Sequence, residues 1–164
     1  MKKIILISLL LITNIFASNF NVNKLTQKEI KILKEIKRTG QRYGLSYSLM
    51  AIAIKESKLG KYMINVDSDD YGIFQANLKT VLKRYHKKNT AWNRNKYAMK
   101  LISDRKFATK NAIAELTYWK KIHKNDWQKV WSSYNAGWKY NSKKARNYSR
   151  DIAKIISKLK KAKV

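Results

Sequence analysis

The sequence predicts a mainly α-helical single domain with at most a small β-hairpin. Three observations carry this. Apolar residues recur at helical spacing through most of the chain. Proline is absent and glycine occurs only five times, so long helices run without their two commonest interrupters. A β-branched alternating run is nowhere convincing. The 164 residues suffice for one core but hardly for two, and 45% hydrophobic with 12% aromatic residues excludes intrinsic disorder.

The first segment stands apart. Lys2 and Lys3 precede an apolar run from Ile4 to Ile12, and Ala17-Ser18 offers small residues for cleavage. That order reads as a secretory signal peptide over 1–17, ahead of a domain over 18–164. An uncleaved N-terminal anchor is the other reading, and both place the folded part outside the cytoplasm, periplasmic or secreted. Thr26 and Glu29 form a capping box for a first helix through Ile32, Leu33 and Ile36, ended by Gly40. Leu25 and Ile30 are spaced as its hydrophobic staple. Ser46 or Ser48 opens a second helix, apolar nearly all round and therefore central. It finishes near Gly60 with Glu56 in its last turn. A loop bearing Asp67, Asp69 and Asp70 leads into Tyr71-Gly72-Ile73-Phe74-Gln75, the place for the hairpin. Leu78, Val81, Leu82 and Tyr85 give the next helix, and the polar stretch from His86 to Arg94 reads as a loop. Further helices follow over Lys96 to Ile102 and Ala108 to Ile122. Asn125 or Asp126 caps one holding Trp127, Val130, Trp131 and Tyr134, and the last carries Tyr148, Ile152, Ile155, Ile156 and Leu159.

Lys and Arg number 37 against 10 Asp and Glu, a formal +27. Such a field attracts polyanions, and export makes an anionic envelope polymer the partner rather than nucleic acid. A base-composition bias in the gene explains the excess equally well and leaves that attraction intact. Cysteine is absent, which removes disulfides, thiolate metal sites and a cysteine nucleophile. His86 and His123 lie far apart, so no metal and no cofactor are expected. No phosphate-binding glycine loop or Gly-x-Ser-x-Gly elbow occurs.

Glu56 is the one acid among Met50, Ile52, Ile54 and Leu59. Burial raises a carboxyl pKa, and a protonated carboxyl facing a cleft suits a glycosidic oxygen. A surface Glu paired with lysine is the competing reading of that residue alone. Glu56-Ser57, Gly72-Ile73-Phe74-Gln75 and Ser133-Tyr134-Asn135-Ala136-Gly137, in this order, resemble the motif series of soluble-type (SLT) lytic transglycosylases in the lysozyme-like superfamily. Phe74 stands for the usual Met and Ser133 for the usual Ala.

The resemblance implies a lysozyme-like domain that cleaves peptidoglycan glycan strands. It implies Glu56 as the single catalytic acid/base and Ser57 as the hydroxyl orienting that chemistry and the sugar. Gln75, Tyr134 and Asn135 become substrate-binding residues, with Tyr134 the hydrogen-bond partner of the acid. Tyr148 matches more loosely, as a cleft tyrosine or a core residue. Gly72 can let backbone approach the sugar closely. Trp127 and Trp131 read as core and Trp138 as exposed beside the cleft, a flat face for a sugar ring.

Glycosidases ordinarily use two carboxylates. In the family one suffices, because the sugar's own 6-hydroxyl attacks and a 1,6-anhydro end forms. Asp67, Asp69 and Asp70 read as loop residues offsetting lysines; if one reaches the cleft, a hydrolytic muramidase becomes the alternative. The rival of another class is a non-catalytic cationic envelope-binding protein. A secretion or pilus apparatus is a possible setting for such an enzyme.

Overall fold

The computed structural model describes residues 20–164; the signal-peptide reading lies outside the described residues. Seven α-helices and a three-stranded antiparallel sheet make up the fold among them. The mainly helical class is therefore as the sequence predicts.

A short 3-10 turn, Val22–Lys24, precedes α1 (Gln27–Gln41). The Thr26 side chain accepts the Glu29 amide, and the Glu29 carboxylate accepts the Thr26 amide at 2.8 Å. Gly40 does not end this helix. It sits inside the last turn, where an added Cβ would meet Leu49 at 2.8 Å and Ser46 backbone at 2.9 Å. Its lack of a side chain lets α1 and α2 (Ser46–Ser57) touch, and Gly44, with φ +65°, makes the reversal. Ser46 is likewise no cap: its hydroxyl donates to the Lys37 carbonyl at 2.8 Å.

Leu49, Met50, Ala51, Ile52, Ala53 and Ile54 are all at most 1% exposed, so α2 is the buried axis. Helices α1, α5 (Arg105–Ile122) and α7 (Lys143–Lys161) pack around it. Truncating one of its large side chains would cost about 2–5 kcal/mol. The helix stops at Ser57, short of Gly60, because Lys58, Leu59 and Gly60 are all left-handed. The Lys58 amide there closes onto the Ala53 and Ile54 carbonyls. A Lys55–Asp151 ion pair of 2.7 Å, nearly buried, ties α2 to α7.

Three two-residue strands follow: β1 (Ile64–Asn65), β2 (Asp70–Tyr71) and β3 (Ala76–Asn77). Their register puts Asn65, Asp70 and Asn77 abreast and Ile64, Tyr71 and Ala76 abreast, so each set shares a face. Asn77 caps α3 (Leu78–Arg84), Thr90 caps α4 (Ala91–Ser103), Asp104 caps α5, Asp126 caps α6 (Trp127–Ala136) and Ser142 caps α7. Helix α4 starts well before Lys96, inside the stretch read as a loop. Its buried residues are only Tyr97 and Leu101, so the first turns carry no apolar periodicity. No helix among the described residues is long and apolar enough to cross a membrane.

Candidate active site

Glu56 sits on the last turn of α2, where the helix emerges from the core into a cleft of about 450 Å³. The sheet supplies Asp70 and Asn77 to its lining, and the turn between β2 and β3 supplies Gln75. Helices α3 and α5 supply Arg84, Asn111, Glu115 and Trp119, and the end of α6 supplies Tyr134, Asn135 and Gly137. A second groove of about 290 Å³ contains Glu29, but that carboxylate is committed to the Thr26 cap and to Lys61.

Burial pushes the Glu56 carboxyl up to about 7 from its ordinary 4.5. A hydrogen bond donated by Tyr148 Oη to Glu56 Oε1, 2.5 Å long, opposes that rise, while the charge of Asp70 adds to it. Tyr148 lies on α7 and is buried, so its ring is both core and cleft wall. The tyrosine on the acid is thus Tyr148. Tyr134, expected in that role, donates instead to the Phe74 carbonyl at 3.0 Å. Burial and the neighbouring Glu56 hold both phenols well above their ordinary pKa, so both stay protonated.

Ser57 is also placed differently from the expectation. It is fully buried, donates to the Ile73 carbonyl at 2.7 Å and accepts the Gly60 amide at 2.9 Å. It exposes no surface to the cleft and does not line it. Its hydroxyl fastens the Gly72–Gln75 turn to the end of α2. Gly72, with φ +81°, serves packing as well: a Cβ would stand 2.2 Å from the Leu101 carbonyl oxygen, so the close approach is to α4 and not to saccharide. Gln75 does line the cleft, in a left-handed conformation at φ 46°. Its amide nitrogen donates to the Gly72 and Tyr62 carbonyls, which leaves its oxygen to offer the cleft. Asn135 is exposed on the cleft wall.

The three aspartates divide. Asp67 is exposed, and Asp69 takes both terminal nitrogens of Arg94, at 2.7 and 3.2 Å. Asp70 turns into the cleft, where the Asn77 amide donates to its Oδ1 at 3.1 Å and burial raises its pKa. Loop aspartates have no periodicity that separates them. The register of two-residue strands does, and it became visible only with the fold.

Sequence reading also missed the opposite wall. Arg84 donates to Asn111 Oδ1 at 2.9 Å and to Glu115 Oε2 at 2.6 Å, and Trp119 Nε1 donates to Glu115 Oε1 at 2.7 Å. Glu115 and Trp119 stand four apart on α5, a spacing that brings side chains together; Arg84 gave no signal. Trp127 and Trp131 stay outside the cleft, packed on each other at 5.6 Å, with Trp131 Nε1 donating to Ser48. No group of three His, Cys, Asp or Glu that could hold a metal occurs among the described residues.

Comparison with known proteins identifies a family. The family model described as transglycosylase SLT domain matches residues 34–156. The chain is 33% identical over 126 residues to an uncharacterized 20.7 kDa protein of Enterobacteria phage T4; the match covers 74% of this chain and 66% of that relative. The chain thus spans somewhat under two thirds of the relative's length. No solved structure matches.

Proposed function

The chain belongs to the transglycosylase SLT domain family, and from that premise we propose that it cleaves the β-1,4 bond between N-acetylmuramic acid and N-acetylglucosamine in peptidoglycan, with Glu56 as the general acid. The observation that carries this is a carboxyl group held near pKa 7 at the floor of a cleft. At neutral pH about half of such groups hold a proton for the bridging oxygen. As the glycosidic bond breaks, the proton passes to the leaving oxygen and the anomeric carbon gains cationic character. The Glu56 carboxylate left behind is stabilised by Tyr148, and its negative charge lies close to that cation.

The family's second step needs no other acid. Glu56 takes the proton of the muramyl 6-hydroxyl while that oxygen bonds to the anomeric carbon, giving a 1,6-anhydro end. A second reading, net hydrolysis, is favoured by Asp70, a carboxylate in the same cleft. There Asp70 takes one proton from a water whose oxygen bonds to the anomeric carbon. Digestion of purified sacculi by the mature protein decides between them, because hydrolytic ends are heavier by one water. Failure to release any soluble sugar would overturn both. Gln75, Asn135 and Tyr134 contact the sugar on this reading.

The substrate lies outside the cytoplasm, consistent with the leader-like first residues. The +27 charge favours residence on an anionic envelope, so adsorption to sacculi should weaken as salt rises.

A further inference from the structure

The α5–α6 end of the cleft continues into a cluster of aromatic rings that the catalytic proposal does not use. Trp119, nearly buried, lines the cleft. Trp138 packs edge-on against it at 5.1 Å and 78°, and Tyr118 does so at 4.9 Å and 73°. His123 lies parallel to Trp119 at 5.7 Å, hydrogen-bonds Ser133 at 2.8 Å and carries Tyr140 edge-on at 4.6 Å. The outer members are open: Trp138 is 67% exposed and Tyr118 48%. Trp138 directly follows Gly137, itself a cleft residue. The indole is thus an apolar face on the rim, backed by rings rather than by a mobile loop.

Resting on the saccharide reading of the cleft, we propose that Trp138, buttressed by Trp119, forms an outer subsite on which an N-acetylhexosamine ring of the bound strand stacks. Three features select a sugar over a protein partner. The patch is continuous with a cleft that already holds Asn135, Gln75 and Asn77, hydrogen-bonding groups suited to hydroxyls and N-acetyl groups. The C–H face of a pyranose matches a flat aromatic face, whose burial supplies affinity without a charge partner. Trp119 is fixed from behind by Glu115, itself held by Arg84, so the surface is preorganised. Trp92, 75% exposed on α4, lacks this continuity: it neither adjoins a cleft residue in the chain nor packs on a cleft ring as Trp138 packs on Trp119.

The test uses the mature protein with Trp138→Ala and Trp138→Phe. Neutral N-acetylglucosamine oligomers, from dimer to hexamer, are titrated while tryptophan emission or a heat signal is followed. The wild type should bind more tightly as the oligomer lengthens. Trp138→Ala should lose about tenfold on the hexamer and nothing on the dimer, and Trp138→Phe should retain most of the gain. On sacculi, Trp138→Ala should raise KM with kcat within about twofold. Equal hexamer affinity in wild type and Trp138→Ala, with unchanged KM, would overturn the subsite while sacculus cleavage still upholds the Glu56 reading. Loss on the dimer as well, with an intact circular dichroism spectrum, would overturn the outer placement. A wild type that binds no oligomer and cuts no sacculus would refute the saccharide reading beneath it.

Discussion

On the wall built by α2 and the sheet, Glu56 and Asp70 meet neutral donors, Tyr148 and Asn77. On the wall built by α3 and α5, Glu115 meets the guanidinium of Arg84 and the indole of Trp119. The carboxyl groups are chemically alike, yet burial raises the pKa of the first two and, at Glu56, outweighs the opposing charges of Lys55 and Lys144. Glu115 instead has a full positive charge 2.6 Å away. In a chain with 37 cations, neither raised acid has a cationic side chain as its hydrogen-bond partner among the described residues. On the proposed reading the contrast divides the work: one wall handles protons, the other holds shape.

The largest expected effect breaks the first wall. Glu56→Gln should cut release from sacculi on the order of a thousandfold while circular dichroism stays unchanged; undiminished release would end the catalytic role. The same variant should be the more stable protein at alkaline pH. The folded Glu56 pKa, about 7, lies above the ordinary 4.5, so folding favours the protonated form. That stabilisation is complete below 4.5 and is lost as pH rises to 7, a difference of about 3 kcal/mol. Melting temperatures of wild type and variant should therefore coincide near pH 4 and diverge by pH 8, the variant higher.

Asp70→Asn sharpens the comparison within that wall. If water is the nucleophile, water-derived ends should fall about a hundredfold and anhydro ends dominate the residue. If the 6-hydroxyl attacks, product masses stay as they were and rates move by only a few-fold. Mass spectrometry of the released ends reads both outcomes directly. Tyr148→Phe comes next, at about tenfold in rate. The Tyr148 hydrogen bond lowers the Glu56 pKa against burial, so its removal should move the alkaline limb of the pH profile upward. A downward move would contradict the assignment of Tyr148 as the donor to the acid.

What the sequence revealed and what it hid follow the same division. Glu56 was legible because an acid closing an all-apolar helix stands in series with two further motifs, and the caps at Thr26 and at Asn125 or Asp126 because local rules suffice to place them within a residue. Tyr134 was read as the partner of the acid in place of Tyr148 because both are tyrosines on helices. Only the packing of α7 against α2 decides which hydroxyl arrives. Ser57 and Gly72 were read as touching sugar, whereas each answers a contact across the chain, to Ile73 and Leu101. The α3–α5 wall joins residues from separate helices through charge and hydrogen bonds, which no periodicity records. Local pattern thus exposes the proposed acid and conceals its supports.

The smallest effect tests the second wall. Glu115→Gln leaves one oxygen to accept from either Arg84 or Trp119, and its new N–H₂ can accept from neither. The pair is about a quarter exposed, so water takes up part of the loss and the destabilisation should stay near about 1 kcal/mol. With the remaining oxygen kept by the charged Arg84, the indole of Trp119 would lose its acceptor, and with it some of the order beneath Trp138. Rates should therefore change through KM, about threefold, with kcat nearly constant. The pH limits should not move, because on this reading Glu115 supports the wall and takes no part in proton transfer. A shifted alkaline limb in Glu115→Gln would place that residue among the titrating groups, and the two walls could no longer be assigned separate work.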